Sequence, residues 1–186
     1  MVSLLFFIDQ SLARWISALP QVGVSLARFL SVLGEPAFHS LFWPCLALIF
    51  RKAPFIHLGI AAFLSGSFST LIKICAGRSR PSLFLTTDTF TWIGFTFRNE
   101  YHSFPSGHAA LTFALASSIA FQFPKWSFLA FSLATLISLS RLLLSYHYFT
   151  DILGGALLSL SLASIVNYLG ILWMKNIQTT PSTPSF

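Results

Sequence analysis

Charge is what this sequence holds least of. Asp, Glu, Lys and Arg together make up 9% of its 186 residues, where a soluble domain carries about a quarter. A surface so poor in charge excludes an ordinary water-soluble domain. Only two cysteines are present, Cys45 and Cys75. Both lie in apolar runs, which excludes a disulfide framework and any cysteine-based metal spacing. The N-terminus lacks a short basic stretch followed by an apolar run and a cleavage site, so a removable signal peptide is not expected. Internal repeats are absent, and the one biased tract is the Thr-, Ser- and Pro-rich tail at 177–186, which is expected to be disordered.

What is present is apolar bulk: 55% of residues are hydrophobic, 16% are aromatic, and the mean hydropathy is +0.75. Apolar runs recur along almost the whole chain. They predict an all-α, polytopic helical membrane bundle of about five to six transmembrane helices plus an N-terminal interfacial helix. A single domain is expected over 1–176, with short or interfacial helices at 1–34 and the main bundle at 55–174. Residues 2–19 mix Leu, Phe and Trp15 with Asp9, Gln10 and Arg14, which suits a helix lying in the membrane interface. Gly34-Glu35-Pro36 is a break, and the run from Ala37 to Phe50 spans only by borrowing residues from before it. Stronger spans are expected over 55–76, 106–123, 126–144 and 149–174. The net charge of +6 does not indicate nucleic acid, because the basic residues are scattered among apolar runs. An anionic substrate and anionic headgroups of membrane lipids fit that scatter better.

Polar residues stand out against this background, above all in the stretch Ser140–Asp151. Arg141, His147 and Asp151 occur together there, between two apolar runs. A helix starting near Tyr148 places His147 one turn from Asp151. A carboxylate at that position can accept the proton of one imidazole nitrogen and leave the lone pair of the other free, which prepares a base or a nucleophile. Arg141 adds a fixed cation for an anionic substrate. Following the spans alternately across the bilayer brings Lys73, Arg80, His108, Arg141, His147 and Asp151 to one membrane face. Arg51, Lys52, Lys125 and Lys175 fall at the opposite ends, so the positive-inside rule turns the polar cluster away from the cytoplasm.

Three segments carry a family resemblance: Lys73-Ile-Cys-Ala-Gly-Arg-Ser-Arg80-Pro81, then Pro105-Ser106-Gly107-His108, then Ser140-Arg141 with His147 and Asp151. Together, in this order and at these spacings, they resemble the signature of the type 2 phosphatidic acid phosphatase family, whose superfamily includes the vanadium haloperoxidases. The resemblance runs from about residue 55 to the last span. It implies a lipid phosphatase in which His147 is the nucleophile that becomes a phosphohistidine, with Asp151 holding its tautomer. It implies His108 as general acid and then base, Lys73, Arg80 and Arg141 as neutralisers of the phosphate oxygens, and Ser106 with the Gly107 N–H completing the cradle at a helix N-terminus. Arg78 stands between two readings, a fourth phosphate contact or a headgroup anchor. No cofactor and no metal are expected, since three cations take the role of Mg²⁺ and no carboxylate cluster is there to hold a hard cation.

The expected substrate is a lipid phosphate: phosphatidate, phosphatidylglycerol phosphate, undecaprenyl pyrophosphate or the 1-phosphate of lipid A. The expected location is a bacterial inner membrane with the site facing the periplasm. Three rivals are a lipid phosphotransferase using the same site, a vanadate-dependent oxidase, and a catalytically silent membrane scaffold. His39, His57 and His102 are expected to be packing or interfacial residues. Small residues such as Gly154, Gly155 and Ser159 are expected to let helices approach closely.

Overall fold

The computed structural model describes residues 2–20 and 23–179; the expected tail from 180 onward lies outside the described residues. Among the described residues, eight α-helices follow one another: α1 (Val2–Ser17), α2 (Val24–Leu33), α3 (Pro36–Phe50), α4 (Ala53–Ala76), α5 (Pro81–Thr87), α6 (Gly107–Gln122), α7 (Ser127–Leu143) and α8 (Phe149–Thr179). No β-strand occurs among the described residues, and the fold is a helical membrane bundle. Because α8 continues to Thr179, residues 177–179 are helical rather than part of a disordered tail.

Among the described residues, four segments are long and apolar enough to cross a bilayer: Val24–Phe50, Pro54–Ala76, Pro124–Leu143 and Phe149–Leu172. The first joins α2 to α3 across the Gly34-Glu35 break, with Pro36 at the start of α3, where its missing N–H costs nothing. The chain between Phe50 and the α4 start turns through a left-handed Arg51. Helix α6 has sixteen residues, about 24 Å of rise against a hydrocarbon thickness of about 30 Å. It is sheltered rather than lipid-facing, packing against α3, α4, α7 and α8, with Ala109, Ala110, Leu111 and Ala114 fully buried.

Small residues set this close packing. Ala61, Ala114 and Ala163 meet where α4, α6 and α8 come together. At Gly155 a Cβ would lie 2.5 Å from the carbonyl oxygen of Ser106 and 3.0 Å from the amide nitrogen of Ala110, so only glycine lets α8 approach the start of α6. One turn on, the Ser159 hydroxyl donates to the Ala110 and Gly155 carbonyls. These contacts press the N-terminal ends of α6 and α8 together, the two helix ends that carry His108 and Asp151. Helix α1 packs on α5, α7 and α8 at this same end, and Asp9 on it is fully buried.

Candidate active site

Four helix ends and two loops build the site. Lys73 lies in the last turn of α4, and its ammonium donates to the carbonyls of Pro105 at 2.5 Å and His102 at 3.5 Å. Helix α4 stops at Gly77, which takes the left-handed conformation (φ 57°) and touches the backbone of Gly94 so closely that a Cβ would overlap it. Beyond it, short extended pairings link Arg78 to Trp92 and to His102. Arg80 then precedes α5, with its own N–H donating to Glu100 O and its Nε to Asn99 O. The loop between α5 and α6 is thereby fastened to the Lys73–Arg80 segment.

Ser106 caps α6, its hydroxyl accepting from the Ala109 N–H at 3.4 Å while its own N–H donates to Asp151 O at 2.9 Å. The N–H groups of Gly107 and His108 have no helical acceptor, and they carry the positive end of the helix dipole. Around Gly107 stand the ends of two other helices, through Pro36 of α3 and Lys73 and Ser69 of α4. His147 is buried in the turn between α7 and α8, with Nδ1 3.6 Å from Asp151 Oδ2. That distance is an electrostatic contact rather than a closed hydrogen bond. Asp151 Oδ2 accepts instead from the Ser103 hydroxyl at 2.5 Å and the Tyr148 N–H at 2.8 Å. Arg141, in the last turn of α7, stacks its guanidinium 4.2 Å from the Tyr146 ring centroid. Lys73, Arg141 and His147 are within electrostatic reach of His108, and Lys73 and Arg80 within reach of His147.

The structure thus brings Lys73, Arg80, Ser106, Gly107, His108, Arg141, His147 and Asp151 to one end of the bundle. The model of the PAP2 superfamily matches residues 54–174. The chain belongs to the PAP2 superfamily. A relative in Mycobacterium tuberculosis, decaprenylphosphoryl-5-phosphoribose phosphatase, is 31% identical over 158 residues, covering 79% of this chain and 80% of the relative. The crystal structure of LpxE from Aquifex aeolicus superposes with a TM-score of 0.66 at 23% identity, over 85% of this chain and 93% of that one. A transmembrane PAP2 type phosphatidylglycerolphosphate phosphatase from Bacillus subtilis gives 0.55 at 19% identity, over 88% and 85%. The protein is an integral membrane enzyme of the phosphatase class.

Within this PAP2 site, Arg78 corrects the sequence reading. It is neither a phosphate contact nor a headgroup anchor, because its side chain is only 1% exposed. Nη1 donates to Asp151 Oδ1 and to the Thr150 hydroxyl, and Nη2 donates to Asp9 Oδ2 at 2.6 Å. Two buried carboxylates outcompete lipid and solvent for the guanidinium. The rings of Phe90, Trp92 and Tyr148 enclose it, with centroids 5.2, 5.1 and 4.5 Å away.

Two residues of the N-terminal third, Ser31 and Glu35, add three contacts to this PAP2 site. The Ser31 carbonyl lies 3.1 Å from His108 Nε2, and because a carbonyl only accepts, Nε2 carries a proton there. The Ser31 hydroxyl accepts from Arg141 Nη1. Glu35 Oε2 stands 3.8 Å from His108 Nε2. A signal for Glu35 existed: an acid inside an apolar run is costly unless it finds a partner. Ser31 had no such signal. His39 and His102 donate to or rest on backbone carbonyls, Leu33 O at 2.7 Å and Thr96 O at 2.9 Å, and His57 packs beside Phe121.

Burial lowers the His147 imidazole to about 3, with the charges of Lys73 and Arg80 adding to the effect and Asp151 opposing it. At neutral pH the ring is therefore uncharged. The same shift has a consequence for stability. Between about 6.5, the ordinary histidine value, and about 3, the unfolded chain binds a proton that the folded chain does not, so stability falls as pH falls through that window. In detergent, the thermal midpoint of the wild type should drop more steeply between pH 6.5 and pH 4 than that of His147→Gln. Equal slopes would show that His147 is not held neutral.

Proposed function

We propose that this protein hydrolyses the phosphomonoester or pyrophosphate of a membrane lipid through a phosphohistidine at His147. One observation carries the reading: two imidazoles and three cations share one end of the bundle, beside the open N-terminus of α6. His147 Nδ1 faces Asp151, which leaves Nε2 to attack phosphorus. The bond from phosphorus to the leaving oxygen breaks as the new P–N bond forms. The anionic phosphate beside it lets His108 enter the step as the imidazolium, and it gives one proton to the leaving oxygen while the Ser31 carbonyl holds the ring in place. His108, now neutral, takes a proton from the water that cleaves the P–N bond and regenerates His147. Lys73, Arg80 and Arg141, with the Gly107 N–H, balance the charge that spreads over the non-bridging oxygens.

A lipid substrate is supported by the groove next to this cradle. A cavity of about 700 Å³ runs between α3 and α4, lined among others by Glu35, Ser40, Phe63, Ser69, Lys73 and Gly107. Its lining joins Lys73 and Gly107 of the cradle to the apolar side chains of Leu41, Phe63 and Leu71, which suits a phosphorylated headgroup with its tail left in the bilayer. The charge asymmetry of the chain favours a site on the periplasmic side of a bacterial inner membrane. The name of the Mycobacterium relative adds a polyprenyl-linked sugar phosphate to the candidates already given.

The experiment is phosphate release by purified protein from a panel of lipid phosphates and pyrophosphates, with excess EDTA in one arm and acceptor lipids in another. Turnover on at least one lipid, undiminished by EDTA, is expected. A strict requirement for Mg²⁺ would contradict a cradle built from side-chain cations, and transfer to an acceptor in place of phosphate release would replace hydrolysis by phosphotransfer.

A further inference from the structure

Helix α1 contributes no residue to the phosphate cradle, yet its single acid is among the most thoroughly buried side chains in the molecule. Asp9 is 1% exposed. Its carboxylate receives four hydrogen bonds or fewer in any such setting, and here three are present. Oδ1 accepts from the Thr150 N–H at 3.0 Å, and Oδ2 accepts from Arg78 Nη2 at 2.6 Å and from the Thr150 hydroxyl. The first of these caps the open N-terminus of α8 from a different helix. The second begins a chain: Asp9, Arg78, Asp151, His147. Arg78 spans the two carboxylates, and Asp151 is the group that faces the His147 Nδ1.

The surroundings make this chain electrostatically effective. Phe6, Phe90, Trp92 and Tyr148 enclose the guanidinium, and both acids are screened from water. Charges in such a low-dielectric setting act on one another far more strongly than at a surface. The backbone of Arg78 is fixed as well, since its carbonyl accepts from the Ser103 N–H at 3.1 Å. Ser103 also donates its hydroxyl to Asp151. Neither Asp9 nor Arg78 reaches the phosphate cradle, so whatever they contribute must pass through Asp151.

We propose that Asp9 is a positioning residue for the reaction, balancing Arg78 so that Asp151 keeps its charge available to the His147 imidazole. Asp9, Arg78 and Asp151 together carry one net negative charge. When His147 attacks phosphorus its ring becomes cationic, and that net charge stabilises it. Without the Asp9 charge the trio is neutral, and Arg78 draws on Asp151 alone. The inference rests on the phosphohistidine reading given above.

The test is Asp9→Asn, a near-isosteric change that keeps an oxygen for the Thr150 N–H, assayed alongside wild type and His147→Ala. Gel filtration and thermal unfolding in detergent establish that the variant is folded. Expected is a fall in kcat on the order of 10- to 100-fold, the range for residues that orient a reacting group from behind, with KM within about threefold because the cradle is untouched. The double variant Asp9→Asn/Arg78→Gln restores one net negative charge. It should recover part of the lost kcat relative to Asp9→Asn. A residue that merely bolts α1 to the bundle gives the opposite result, a double variant at least as impaired as the single one. Wild-type kcat in folded Asp9→Asn, or a loss confined to KM, overturns the proposal. If the double variant does not fold, the division between kcat and KM in Asp9→Asn decides alone. Absence of phosphate release by the wild type, or full activity in His147→Ala, would instead remove the underlying reading.

Discussion

Replacing His147 with Ala is expected to lower kcat by about three orders of magnitude or more, with phosphate-lipid binding still measurable. The loss is large because in the proposed mechanism the side chain forms the covalent bond, and removal of a nucleophile leaves only the electrostatic part of catalysis. Binding is expected to survive because the proposed phosphate-binding cations Lys73, Arg80 and Arg141 stand on α4, before α5 and on α7, none of which depends on the imidazole. Phosphate release and equilibrium binding of a lipid phosphate, measured on one preparation, check both halves. Retained turnover would show that His147 is not the nucleophile.

The second large effect concerns stability. Arg78→Met is expected to destabilise the protein by about 3–5 kcal/mol, the cost of leaving a buried charge without its partner. Here Asp9 and Asp151 are both fully buried, at side-chain exposures of 0%, so neither can turn to water. The exposed pair Arg14–Asp88 is the control. Its side chains are 61% and 78% exposed, and Asp88→Asn should leave the unfolding midpoint nearly unchanged. Combining Asp9→Asn with Arg78→Met removes one of the two stranded carboxylates and should restore part of the stability. Thermal or denaturant unfolding of the four proteins reads the comparison directly, and an Arg78→Met protein as stable as wild type would mean that the buried ions are not coupled.

How much of this was legible in the sequence depends on distance along the chain. The helical bundle follows from apolar runs that no soluble fold could bury. The gathering of Lys73, His108, Arg141 and His147 at one face follows from counting spans, because each crossing reverses direction and the polar residues sit at alternate turns. The pairing of Asp9 with Arg78 was not legible. The two are 69 residues apart, and an acid in an amphipathic stretch looks the same whether it faces a headgroup layer or a guanidinium. The cost of an acid in an apolar run was a hint that it has a partner, but nothing in the local pattern chose Arg78 over the other cations. Ser31 was hidden for a different reason. One of its contacts is made by a backbone carbonyl, which every residue possesses, and only the packing of α2 against α7 brings it to His108.

The most direct measurement is covalent. Protein mixed with a lipid phosphate labelled at phosphorus, quenched rapidly in alkali and digested, should yield a phosphorylated peptide containing His147. The label should be stable to base and lost in acid, as a phosphoramidate is, and absent from His147→Ala. Label on any other residue, or turnover with no covalent label at any quench time, would contradict the assignment of His147 as the nucleophile of this site.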